Sequence, residues 1–209
     1  SRSKRIVAYH EVGHAITGTL LSNHDPVEKV TLVPRGQAAG LTWFTPVEDQ
    51  GLISRGQILA RMIGTLAGRA AEEVIFGSTE VTTGASSDIV QVTGMARQMV
   101  TRYGMSKVGP MAFEAQQQSP MSPGTLPPEV AAKIDQEVQD IVTYCHNEAR
   151  QLINDNRAAV DRLSDLLIEN ETISGTEFRK VLSEYTAIPE KTDYVSYFDR
   201  EEETAKVMA

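Results

Sequence analysis

His10 and His14, with Glu11 directly after the first, are the residues of this chain whose types and spacing can do chemistry. On an α-helix, positions i and i+4 lie on one face about one turn apart, so two imidazoles at that spacing can converge on a single ion. Glu11 follows roughly 100° further round the helix. From there a carboxylate can reach a metal-bound water without ligating the metal. Two nitrogen ligands with a base beside them is the arrangement that metal-assisted hydrolysis requires, and this run is the H-E-x-x-H pattern of zinc-binding helices.

The elements that must position these groups can be read from the flanking sequence. Ile6, Val7, Ile16, Leu20 and Leu21 predict a largely apolar helix over residues 3–21, free of proline and ended by Asn23, Asp25 and Pro26. Residues 27–33 read as a strand and Pro34-Arg35-Gly36 as a turn. Residues 41–44 read as a second strand, so that the two form a small hairpin or sheet edge. A helix is predicted over 54–76, with Ile58, Leu59, Met62, Ile63, Leu66 and Ala70 on one side and Gly77 as its stop; Gly64 and Gly68 inside it imply close helix packing. After the cap-rich loop Thr82-Thr83-Gly84-Ala85-Ser86-Ser87 comes a helix over 88–103.

Glutamine, serine and four prolines then mark residues 115–129 as a flexible linker. Beyond it, helices are predicted over 129–154 and 157–168, and a third from the capping box Ser174-Gly175-Thr176-Glu177. The organisation expected is a zinc-binding subdomain (1–114), the linker (115–129), a C-terminal helical subdomain (130–188) and an acidic, fraying tail (189–209).

Composition narrows the function classes. With 209 residues, 41% of them hydrophobic, the chain can bury a real core. A net charge of −8 argues against a nucleic-acid partner. A single cysteine, Cys145, excludes an internal disulfide and a Cys-rich metal site. No apolar run reaches membrane-spanning length, so the chain itself reads as soluble. It opens almost on its key motif and therefore reads as a fragment of something longer.

A catalytic zinc site takes three protein ligands and leaves the fourth position for water. The metzincin extension needs Gly at position 17 and His at position 20, where this chain has Thr17 and Leu20. His24 lies past the predicted helix end and reads as a turn residue; His146 lies beyond the linker on a charged helix. Three carboxylates remain. Glu72 and Glu73 follow a small-residue stretch where a second helix can approach the first, and Asp88 opens a helix after a loop. Spacing alone does not choose between them. Each also has an ordinary reading, as a solvated helix end or as an N-terminal carboxylate favoured by the helix dipole.

Taken together, His10-Glu11-Val12-Gly13-His14-Ala15, Val33-Pro34-Arg35-Gly36, Ala67-Gly68-Arg69-Ala70-Ala71-Glu72-Glu73 and Thr83-Gly84-Ala85-Ser86-Ser87-Asp88 resemble the peptidase domain of FtsH-type ATP-dependent metalloproteases, in consistent order over residues 4–185. The resemblance implies a mainly α, zincin-like helical peptidase domain with a small β-hairpin or edge sheet and a C-terminal helical subdomain. It implies one Zn²⁺ per chain with Asp88 as third ligand beside His10 and His14, and Glu11 as general base. Glu72 and Glu73 then take supporting roles behind the ligands.

The resemblance also implies homo- or hetero-hexameric rings, an AAA ATPase module and membrane segments, all outside this chain, in a bacterial, mitochondrial or chloroplast membrane. Its substrates would be unfolded or damaged membrane and soluble polypeptides. No G-x-x-x-x-G-K-[ST] loop occurs here, so ATP is expected to bind only in the missing module. Substrate is expected to add as a strand along residues 39–44, with Gly40, Leu41, Thr42 and Trp43 in contact. The bland alternative for that strand is a plain sheet edge with Trp43 and Phe44 in the core. The functional alternatives are a proteolytically inactive ring with a scaffold or chaperone-like role, and a purely structural interaction module. The intact His10, Glu11, His14 and Asp88 weigh against both.

Overall fold

The computed structural model describes residues 1–46, 51–113 and 126–191. The described residues form a mainly α-helical protein in which the sheet is small and serves the helices. In chain order the elements are α1 (Arg2–Leu20), β1 (Val27–Thr31), β2 (Leu41–Phe44), α2 (Arg55–Phe76), α3 (Ser86–Thr101), α4 (Pro128–Asp155), α5 (Arg157–Asn170), β3 (Thr172–Ser174) and α6 (Gly175–Ser183), with short 3₁₀ turns at Ser78–Glu80 and Thr83–Ala85.

Local chemistry sets these boundaries. The Ser1 side chain accepts from the Lys4 amide at the start of α1, and Ser54 and Gln57 close a reciprocal capping box on α2. Gly77, at φ 98°, ends α2 in backbone territory that side-chain-bearing residues avoid. Pro128 opens α4, where its missing N–H costs nothing. The Ser174 side chain accepts from Glu177 N at the start of α6. Helix α3 begins two residues before the predicted start, which places Asp88 in its first turn rather than at its entry. Strand β1 stops at Thr31 instead of running to residue 33, because the Leu32 amide turns to the Glu171 carbonyl at 2.8 Å.

The helix α1 is the structural axis. Residues from Ala8 to Thr19 are almost all buried, because α2, α5 and the sheet cover it from different sides. Its crossing with α2 is tight: a Cβ on Gly13 would lie 2.5 Å from the Ala67 carbonyl oxygen and 2.8 Å from the Ala71 methyl. The sheet has the order β2-β1-β3 and is antiparallel throughout, with Val30 opposite both Thr42 and Ile173. Strand β3 was not foreseen; it joins the C-terminal half of the chain to β1. On α4 the buried residues Ile134, Val138, Ile141, Cys145, Ala149 and Ile153 recur at helical spacing.

Those residues belong to one continuous core with Val12, Ile16, Met62, Leu66 and Leu163, so both halves of the chain share a single buried interior. No described helix is long and apolar enough to cross a membrane. Of the expected linker, 115–125 lie outside the described residues, while Pro128 and Glu129 already belong to α4. Of the expected tail, 192–209 lie outside them.

Candidate metal centre

Helix α1 presents His10 and His14 one turn apart, as their spacing requires, and α3 brings Asp88 against both. His10 Nε2 lies 3.0 Å from His14 Nε2, and one Asp88 oxygen lies 3.2 Å from His10 Nε2 and 3.4 Å from His14 Nε2. These three residues form the one cluster of potential metal-binding side chains found among the described residues. A tetrahedral site with bonds of 2.0–2.1 Å has donor–donor edges of about 3.3 Å, so the spacing suits an ion the size of Zn²⁺.

The hydrogen bonds behind the rings decide what those atoms can do. His10 Nδ1 faces Glu72 Oε2 at 2.8 Å, and His14 Nδ1 faces the Gly64 carbonyl at 2.8 Å. Both acceptors demand a proton on Nδ1, and that tautomer leaves each neutral ring with a bare lone pair on Nε2. Two such lone pairs and a carboxylate oxygen converge, a donor set with the chemistry of a metal site. Such a site calls for a cation.

Burial opposes charge on His10, but hydrogen bonds to Asp88 and Glu72 outweigh it and raise its pKa to about 10. Burial likewise opposes charge on Asp88, yet hydrogen bonds from His10 and His14 hold its carboxyl well below the usual range. Glu72 is lowered in the same way, by His10 and Thr82 against its burial.

Glu72 also braces the loop that carries Asp88. Fully buried on α2, it accepts from the Thr82 amide at 3.1 Å and the Thr82 hydroxyl at 2.5 Å, while Thr82 in turn accepts from Gly84 N. One carboxylate thus orients one candidate ligand ring and anchors the turn leading to the third candidate. Glu73, given the same supporting role on sequence grounds, has different partners: it pairs with His146 at 2.9 Å and Arg150 at 3.6 Å, tying α2 to α4. Neighbours on a helix point about 100° apart, so only one of the two can face the histidines of α1.

The glycines inside α2 make room for imidazoles. A Cβ on Gly68 would stand 2.6 Å from His10 Nε2 and from His14 Nε2, and one on Gly64 would stand 2.6 Å from His24 Nε2. His24 lies in the turn after α1, as its position implied, but it is not a surface residue. It is buried between Gly18, Gly64 and the Phe44 ring, with Nδ1 donating to the Asp25 carbonyl at 2.8 Å, and burial pushes its pKa down to about 4. The signal for it lay in Gly18 and Gly64, two glycines on facing helices.

All of this borders a cleft of about 1210 Å³ lined by His10, Glu11, His14, His24, Gly40, Leu41, Thr42, Phe44 and Asp88 among others. Of the residues expected to touch substrate, Gly40, Leu41 and Thr42 line the cleft. Trp43 does not: it lies against the cations of Lys29 and Arg35. The absent side chain of Gly40 is accounted for within the protein, because a Cβ there would meet Val7 and Glu11 of α1. Glu11 itself is buried beside the two histidines, with Thr42 donating to its carboxylate at 2.7 Å.

Comparison with known proteins places the chain in a family. The model of peptidase family M41 matches residues 1–181. The chain belongs to peptidase family M41. Among curated relatives, the ATP-dependent zinc metalloprotease FtsH of Trieres chinensis is 55% identical over 207 residues, covering 95% of this chain and 32% of the relative. The ATP-dependent zinc metalloprotease FTSH 6, chloroplastic, of Arabidopsis thaliana is 52% identical, covering 92% of this chain and 29% of the relative. FtsH of Heterosigma akashiwo is 47% identical, covering 96% and 31%. This M41 chain spans about a third of the length of these relatives.

Proposed function

We propose that this chain is the zinc endopeptidase domain of a larger ATP-dependent protease and hydrolyses peptide bonds of unfolded polypeptides. The observation that carries the reading is the convergence of His10 Nε2, His14 Nε2 and an Asp88 oxygen, the rings oriented from behind, in a cleft that also holds the Glu11 carboxylate. His10, His14 and Asp88 would hold the ion. Zn²⁺ bound there supplies Lewis acidity toward a water and toward a peptide carbonyl oxygen.

The remaining steps belong to the chain. Glu11 accepts a proton from the attacking water as the new C–O bond forms, then returns it to the departing amide nitrogen as the C–N bond breaks. Strand β2 is at the edge of the sheet and borders the cleft, so an extended substrate can pair with its main chain beside Glu11. Binding through the main chain reads extended backbone more than side chains, which suits unfolded polypeptides of varied sequence.

The relatives' names make ATP the partner of the longer protein, and the two thirds of their length that this chain does not match is where we place the ATPase module, the contacts of a hexameric ring and a membrane anchor. Cleavage of an unfolded protein, measured with and without a chelator and beside Glu11→Gln and Asp88→Asn, tests the proposal. Glu11→Gln should keep its zinc and lose hydrolysis. Asp88→Asn should lose both, and normal zinc content there would return the third-ligand role to Glu72. Sedimentation and membrane fractionation of the full-length protein test the ring and the anchor.

A further inference from the structure

Glu11 needs more than proximity to serve as a base: its carboxylate has to be held while proton and nucleophile move. Gly40, just before β2, and Thr42 within it, two positions apart and both facing α1, meet it at different points. The Gly40 backbone comes so near that a Cβ would stand 3.0 Å from Glu11 Cγ, which confines the stem. The Thr42 hydroxyl lies 2.7 Å from Glu11 Oε2 and 3.0 Å from the Glu11 main-chain oxygen, which reaches the head. A hydroxyl has one proton to give, and an ionised carboxylate is the stronger acceptor. Glu11 Oε1 has no hydrogen-bond partner among the described residues, and Glu11 lines the cleft.

We infer that Thr42 is a positioning residue for Glu11, fixing one carboxylate oxygen so that the other is presented to the cleft. The inference rests on the reading of Glu11 as the base and adds a role distinct from substrate contact: strand β2 would offer its main chain to the substrate and a side chain to the base. The same strand then sets the register between the bond to be cut and the group that takes the proton.

Thr42→Val keeps the shape and removes the hydroxyl; Thr42→Ser keeps the hydroxyl. With the zinc-loaded 209-residue chain and a quenched fluorogenic peptide, Thr42→Val should lower kcat by ~10-fold or more, the lower end of the range for a hydrogen bond to a charged group, with KM within about twofold of wild type and zinc content unchanged. Thr42→Ser should stay within about threefold of wild-type kcat, because it keeps the bond that Thr42→Val lacks. In the metal-free protein, NMR side-chain couplings should report one Glu11 rotamer in wild type and Thr42→Ser, and averaged rotamers in Thr42→Val.

If Thr42→Val fails to fold, Thr42→Ala makes the same comparison without its bulk. Wild-type kcat in a folded variant without the hydroxyl overturns the inference. So does a loss carried by KM, which would make Thr42 a substrate contact, or a Thr42→Ser as impaired as Thr42→Val. Glu11→Gln separates the two levels: an inactive Glu11→Gln beside a normal Thr42→Val removes only the role of Thr42, whereas an active Glu11→Gln removes the base and this inference with it.

Discussion

Replacing Gly68 by alanine isolates the metal site from the fold. The new methyl would lie 2.6 Å from the Nε2 atoms of both His10 and His14, the two atoms that face Asp88. Ordinary contact between such atoms begins near ~3.4 Å, so both rings must retreat by several tenths of an ångström, beyond the roughly 0.2 Å to which metal–ligand distances are held. Their Nδ1 anchors on Glu72 and Gly64 resist that movement. The loss in zinc affinity should be at least as large as for removing a supporting hydrogen bond, ~10–100-fold.

Linkage turns this into a stability measurement. At a zinc concentration about 100 times the wild-type Kd, wild type gains ~2.7 kcal/mol, whereas a variant bound ~100-fold more weakly gains only ~0.4 kcal/mol. Gly94→Ala is the control, since a Cβ there meets nothing within 4 Å. Both substitutions carry the same helix-propensity gain, ~1 kcal/mol. Urea unfolding of the three proteins, each with zinc and with chelator, reads the difference directly. If folded Gly68→Ala keeps the full zinc-dependent gain, the three donors are not where an ion sits.

Glu72→Gln should weaken zinc binding by ~10–100-fold in a chelator competition, because His10 Nδ1 loses its charged acceptor and the Thr82 turn loses its anchor; unchanged affinity would show that Glu72 only packs. His24 predicts an acid-sensitive component of stability. Its folded pKa, about 4, lies below the unfolded value of 6.5, so the unfolded chain takes up a proton first and the contribution, complete above pH 6.5, is lost as pH falls through 4. The gap corresponds to about 3 kcal/mol. Urea titrations of wild type and His24→Asn should therefore draw together by about that amount between pH 6.5 and 4, and parallel curves would refute the cause assigned. Asp88→Asn should bring the zinc-dependent gain in stability close to zero, measured in the same unfolding assay.

The helices were legible because their signals are local: the apolar face from Ile58 to Ala70, Gly77 as a stop, and the capping box of Ser174 and Glu177 each act within a few residues. Strand β3 was not, because three residues between a left-handed Glu171 and a helix cap have no periodicity of their own; the open edge of β1 makes them a strand. The two histidines declared themselves through spacing. Asp88 did not, since its approach to them depends on Glu72 holding Thr82 across ten residues of chain, a contact that leaves no pattern in sequence. The difference between Glu72 and Glu73 required knowing which way α2 faces. The slot around His24 is written in Gly18 and Gly64, 46 positions apart, and becomes readable only once α1 and α2 are known to touch.

The pairing of β1 with β3 has a consequence for biosynthesis. Thr31 and Thr172 share a hydrogen bond at a sequence separation of 141 residues. At roughly 5–20 residues per second, a ribosome needs about 7–28 s after releasing β1 to deliver its partner. During that interval the nascent α1 has no α5 beside it and β1 keeps an open border, a lag in which holdase chaperones have a defined target.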